Sequence, residues 1–163
     1  SATGREQSIT LSPEADMMSP TITRDYQPSD LESVAELWFA SWAATGLAFA
    51  PGISVAGNAI RIEAEIRNGW VVRVAVRDGQ IVGFLAITPR EGRLNQLFVA
   101  PQAHGTGVGT MLLEDAKSKM PDGFWLWTPR ANINATAFYG SRSLHFDRFE
   151  QDGETEMAIF SWR

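Results

Sequence analysis

The sequence predicts an α+β fold: a mixed, mainly antiparallel sheet with about four helices on its faces. Hairpin-forming pairs, Asp78-Gly79 and Asp152-Gly153, separate runs rich in β-branched and aromatic residues. Apolar residues recur at helical spacing from Leu31 to Trp42 and from Val108 to Met120. An apolar strand, Phe124 to Thr128, follows the later helix, so Leu94 to Thr128 reads as a right-handed strand-helix-strand unit with parallel strands.

In chain order, residues 1–20 lack periodicity and read as a mobile tail or a cloning remnant, which leaves 21–163 as one domain. Thr21 to Arg24 begins a strand. Ser29 and Glu32 stand at capping-box spacing before a helix whose apolar face carries Leu31, Val34, Ala35, Trp38 and Trp42. Gly46, Pro51 and Gly52 place a loop over Thr45 to Asn58. A second helix is expected through Ile60 to Arg67, stopped by Asn68-Gly69. Trp70 to Val76 and Ile81 to Thr88 then form a hairpin, and Glu91-Gly92 turns the chain into a strand from Leu94 to Val99. A helix from Gly107 to Lys119 ends at Pro121-Asp-Gly123. Asn132 to Arg142 forms another short helix, and Leu144 to Glu150 pairs with Glu156 to Trp162.

The chain has 163 residues, no cysteine and two histidines, with a net charge of −5. Absent thiols exclude a disulfide framework, thiolate zinc and a cysteinyl acyl-enzyme, and the histidines are too few for a histidine-rich metal site; no metal is expected. The acidic balance disfavours nucleic acid and mildly favours a cationic amine. No apolar run is long enough to cross a bilayer, so no membrane is expected and the cytoplasm is the default compartment.

The most informative stretch is Leu97-Phe-Val-Ala-Pro-Gln-Ala-His-Gly-Thr-Gly-Val-Gly-Thr110, where alternate glycines sit as a strand becomes a helix. Glycine exposes successive N–H groups without a Cβ in the way, and the helix start adds partial positive charge, which together suit a pyrophosphate. A P-loop is excluded because no lysine follows the last glycine. A dinucleotide fingerprint is excluded because the strand follows hairpins rather than opening a parallel sheet.

The segment resembles motif A of the GCN5-related N-acetyltransferase superfamily, Gln or Arg, two residues, Gly, one residue, Gly or Ala. His104, Gly107 and Gly109 stand at its signature positions, histidine being the departure. Asn132-Ile-Asn-Ala-Thr-Ala-Phe-Tyr139 is similar to motif B, with Ser143-Leu144 where the family has Gly-Phe. The resemblance implies a strand-helix-strand acyl-CoA-binding unit and acetyl-CoA as acyl donor. The strand Leu97, Phe98 and Val99 would pair with the pantetheine arm, chiefly through Leu97 and Val99. The pyrophosphate would lie on His104, Gly105, Thr106, Gly107, Val108, Gly109 and Thr110, and Asn132 would hold the same arm. Tyr139 would be the general acid for the departing thiolate.

The residues admit plainer readings beside these. Asn132 suits a helix cap, His104 an exposed loop position, and Tyr139 a core aromatic. Trp38, Trp42, Trp125 and Trp127 read as core. Asn134-Ala-Thr136 matches a glycosylation sequon but falls inside an expected helix. An alkyl ammonium, with a pKa near 10.4, must lose a proton before attack. Asn95 and Gln96 occupy the strand where a carboxylate base often stands in the superfamily, so the proton leaves through water, with Glu63, Asp147 and Glu150 as distant candidates for the relay. The acceptor pocket is expected between the first two helices, their linker with Phe49, and the final hairpin.

The resulting expectation is direct acetyl transfer to the amine of a small molecule or peptide, with a homodimer allowed. A non-catalytic acyl-CoA-binding or sensing domain is the alternative, and a nucleotide-phosphate binder unrelated to coenzyme A a third.

Overall fold

The computed structural model describes residues 19–163, so the tail expected over 1–20 lies almost wholly outside the described residues. Strands are β1 Ile22–Asp25, β2 Val71–Arg77, β3 Gln80–Thr88, β4 Arg93–Val99, β5 Phe124–Pro129, β6 His145–Asp152 and β7 Thr155–Trp162. Helices are α1 Leu31–Ala44, α2 Val55–Arg67, α3 Val108–Lys119 and α4 Ile133–Ser141. The sheet runs β1-β2-β3-β4-β5-β7-β6, antiparallel throughout except between β4 and β5.

Local chemistry explains most boundaries. Asp78 and Gly79 both take positive φ, 52° and 72°, the tight turn expected of Asp-Gly in a hairpin. At the entry to α1 the expected cap is displaced. Ser29 lies in a 3-10 turn, and it is Asp30 that takes the Gln27 N–H (2.8 Å) and both Arg24 guanidinium nitrogens (2.8 and 3.0 Å). Arg24 holds the Asp30 carboxyl below the usual carboxylate range. α2 starts earlier than expected, at Val55, because the Ser54 hydroxyl accepts the Gly57 N–H (2.9 Å) and caps a turn of small residues that carries no apolar periodicity.

One core joins the sheet to its helices. Val34, Ala35 and Trp38 of α1 and Ile62 of α2 are buried with the β3 side chain of Phe84, while Val108, Leu112 and Ala116 of α3 complete the same cluster. α3 comes unusually close to β3 at Gly83, where an added Cβ would lie 2.9 Å from Leu112 Cδ1 and 3.0 Å from Val108 Cγ1. Arg73 ties the same helix to the sheet edge, reaching Asp115 at 2.7 Å and Asp25 at 2.8 Å.

β5 corrects one expectation. It is not buried on both faces: Phe124, Leu126 and Thr128 are buried, while Trp125 and Trp127 are only partly covered. Their cover is the Arg93 guanidinium, 4.6 Å and 5.3 Å from the two ring centroids, rather than a helix. Trp42 is likewise half-exposed, its Nε1 turned to the Ala48 carbonyl (3.4 Å), whereas Trp38 is core.

β4 and β5 pair only at Arg93 and Trp125 and then diverge. The register of β4 on β3 skips Asn95, passing from Ala86–Gln96 to Ile87–Leu94, and such a bulge bends a strand. The divergence opens the middle of the sheet.

Candidate active site

Two cavities, of about 600 Å³ and 420 Å³, flank the point where β4 and β5 part. Leu97, Phe98, Asn132, Ala135 and Tyr139 border both. The smaller one is walled by the glycine segment, and the larger by the α1–α2 linker, β5 and β7.

The strand wall follows from alternation. The Ala100 N–H donates to the Val82 carbonyl (2.8 Å), so Phe98 two residues earlier turns its backbone toward β3 as well. Leu97 and Val99 therefore turn theirs toward the gap left by β5. The Phe98 ring packs against Trp38 and Phe84 instead. The Val99 carbonyl already has two neighbours, the buried Ser41 hydroxyl at 3.1 Å and His104 Nε2 at 2.9 Å. His104 is thus an exposed loop residue fixed to the strand, and it borders the smaller cavity.

Beyond the strand, Gly105 and Gly107 have φ of 74° and 89°, with nothing within 4 Å of where a Cβ would stand. Gly107 caps α3, so the first N–H groups of that helix open into this concavity. Gly109 has a different reason to be glycine: an added Cβ would lie 3.2 Å from Phe138 Cζ, so its absence lets α4 approach α3. Gly105, Gly107, Val108, Gly109 and Thr110 border the smaller cavity. Thr106 does not: its hydroxyl donates to the Ala103 carbonyl and accepts from Arg77 at 3.1 Å.

α4 brings motif B into place. Asn132 Oδ1 accepts the Ala135 N–H (3.3 Å), so the residue does cap the helix, and its Nδ2 is left for the cavities. Tyr139 is buried beside Phe138 and Phe160. Burial alone pushes its phenol far above the usual tyrosine value, which keeps the O–H protonated. Ser143, where motif B predicts glycine, keeps a left-handed φ of 68°.

The structure also brings in residues the sequence reading did not single out. Arg142 donates to Thr110 Oγ1 (2.9 Å), sits 5.4 Å from the Phe138 ring centroid and borders the smaller cavity, giving it a cation. A basic residue just after motif B was the available signal. Ser41 had none, because its contact spans 58 positions of sequence. Glu63, Asp147 and Glu150 border neither cavity, so none is placed to relay a proton from the acceptor. Asp147 instead faces the Ser161 hydroxyl, and Glu150 faces Arg148.

The sequence profile of the acetyltransferase (GNAT) family matches residues 24–146, which include both walls of the gap and all of α3 and α4. The chain belongs to that family. It is 30% identical over 150 residues to the peptidyl-lysine N-acetyltransferase YiaC of Escherichia coli K12, across 85% of this chain and 94% of that protein. An uncharacterized N-acetyltransferase of Archaeoglobus fulgidus is 34% identical over 89 residues; the match spans 45% of this chain and 58% of that protein's length. In fold, this acetyltransferase superposes on the PaiA N-acetyltransferase of Thermoplasma acidophilum, a coenzyme A complex, with a TM-score of 0.69 at 21% identity, covering 88% of this chain and 99% of the other. A GNAT-family acetyltransferase of Bacillus cereus gives 0.70 at 16% identity, covering 88% and 97%. The open seven-stranded sheet with four helices is thus the family's fold. Among the described residues of this family member, no helix is long and apolar enough to cross a membrane.

Proposed function

We propose that the protein transfers an acetyl group from acetyl-CoA to a primary amine by direct attack. The observation that carries this reading is that the two cavities meet at Tyr139. Coenzyme A would occupy the smaller cavity. Leu97 and Val99 would offer backbone groups to its pantetheine arm, Asn132 its side-chain amide, and Gly105 and Gly107 to Thr110 the N–H groups for its pyrophosphate. Arg142 adds a positive charge there.

The acceptor enters from the larger cavity. Its nitrogen lone pair forms the new bond to the acetyl carbon, the carbon–sulfur bond breaks, and the electron pair leaves on sulfur. The Tyr139 O–H donates to that sulfur as general acid. Because burial raises the phenol well above a thiol value near 8.5, its main contribution is a strong hydrogen bond to the developing thiolate, with net protonation completed by the proton the amine releases to water.

Thiol release from acetyl-CoA across a panel of amines tests the activity. Tyr139→Phe should lower kcat by roughly 10² to 10⁴ while leaving coenzyme A binding intact, and undiminished turnover would remove Tyr139 from the mechanism. Gly107→Glu should abolish coenzyme A binding, since it sets a carboxylate against the pyrophosphate.

A non-catalytic acyl-CoA sensor is the second reading, favoured by the lack of any carboxylate among the described residues on the walls of the larger cavity. It requires tight coenzyme A binding with no amine-dependent thiol release.

A further inference from the structure

The walls of the larger cavity do not suit the acceptor that the overall charge suggested. With a net charge of −5 a cationic amine is the first expectation, yet among the described residues no Asp or Glu borders this cavity. Arg61 is its sole charged wall residue among the described residues. The rest is largely apolar and aromatic, with Trp42, Phe49 and Trp127 among the rings, and polar points at Asn58, Asn95 and Gln96.

Arg61 is held and yet unspent. Its guanidinium lies 5.1 Å from the Trp38 ring centroid and 5.9 Å from that of Trp70, which fixes it above the core. Among the described residues, none of the ion pairs includes it. Asn58 stands one turn earlier on α2, its Nδ2 directed to the Ala35 carbonyl (3.4 Å), which leaves its Oδ1 without that duty. A planar guanidinium stacked on rings at the rim of an apolar cavity is suited to pair with a carboxylate in two-point fashion.

Resting on the acetyltransferase reading above, we infer that the acceptor is a small amine with an apolar, ring-sized body and a carboxylate, and that Arg61 binds the carboxylate. The cavity volume of about 600 Å³ falls in the range of small-ligand sites. The same arrangement relieves the missing base. The apolar walls disfavour an ammonium relative to the free amine, so burial lowers the amine pKa and eases loss of its proton to water. A lysine side chain on a peptide brings a positive charge and no anion, and the described residues of these walls offer it no counter-charge.

The test compares matched pairs in which only the carboxylate differs: phenylalanine with phenethylamine, and 4-(aminomethyl)benzoate with benzylamine, alongside an end-blocked lysine peptide. Thiol release from acetyl-CoA is followed with the full chain. The acid of at least one pair should exceed its partner in kcat/KM by roughly 10- to 100-fold, the worth of a charge-assisted pair, with the gain in KM. Arg61→Gln should bring that acid down to the level of its partner, and Arg61→Lys should restore part of the difference. Amines or the lysine peptide turned over as well as the acids, or an Arg61→Gln loss equal for both members of a pair, would overturn the inference. A second readout separates it from the acetyltransferase reading. 3-Phenylpropionate, which has no amine, should quench the tryptophan fluorescence of the coenzyme A-bound protein saturably, and Arg61→Gln should weaken this at least tenfold. Binding of that kind without thiol release from any amine would leave the carboxylate site standing and remove the transfer reaction. Absence of saturable quenching would overturn the carboxylate site even if amines are acetylated.

Discussion

At the scale of single residues, one burial can set both packing and protonation. Tyr139 is buried like a core aromatic, and the same burial sets its protonation. The protonated phenol is the donor form, and a raised pKa extends that form to higher pH. An alkaline fall in kcat caused by this group should therefore lie above pH 10; a fall below pH 10 that vanishes in Tyr139→Phe would contradict the assignment. Ser143 offers a sharper test of backbone strain. It holds a φ of 68° that glycine adopts freely, so Ser143→Gly should raise stability by about 0.5–1 kcal/mol in denaturant melts, after allowing for the entropy glycine loses on folding. Both residues sit within or beside motif B, so the sequence located them; it could not give the exposure of one or the dihedral of the other.

Elements are set by where they touch. α3 can deliver its N-terminal amides to the gap because it lies close on β3, and Gly83 is the contact that permits this. Gly83→Ala would place a Cβ against Leu112, Val108 and the Phe98 carbonyl, the last at 3.1 Å. Neither packed helix nor strand can yield freely, so the substitution should cost about 1–3 kcal/mol and raise KM for acetyl-CoA severalfold, read by thermal melts and steady-state kinetics. The periodicity of α1 and α3 and the Asp-Gly turn of the β2–β3 hairpin were legible because they repeat within a few residues. The start of α2 was not, since Ser54 caps small residues that carry no pattern. Nor was the partial exposure of Trp125 and Trp127, which depends on Arg93 lying across them from a strand far earlier in the chain.

At the scale of the whole molecule the decisive feature is a sheet that fails to close. β4 and β5 share a single register point and then separate, so backbone that would pair within the sheet is left for a ligand. Coenzyme A bound there bridges both halves of the sheet and should stabilise the whole fold: at a concentration 100-fold above its Kd, by about 2.7 kcal/mol, or a rise in Tm of about 5–10 °C. A shift confined to a Gly107→Glu control, or none in the parent protein, would refute the site. The sequence by itself determined the α+β class, the order of the elements, and the places of the glycine-rich turn and of Tyr139 along the chain, because each is written in short-range spacing or in one run of residues. Tertiary structure alone decided the divergence of β4 from β5, the reach of Ser41 and Arg142 to the smaller cavity, and the placing of Arg61 on the wall of the larger one. Those facts depend on side chains brought together across long stretches of chain, and local pattern carries no record of such distances.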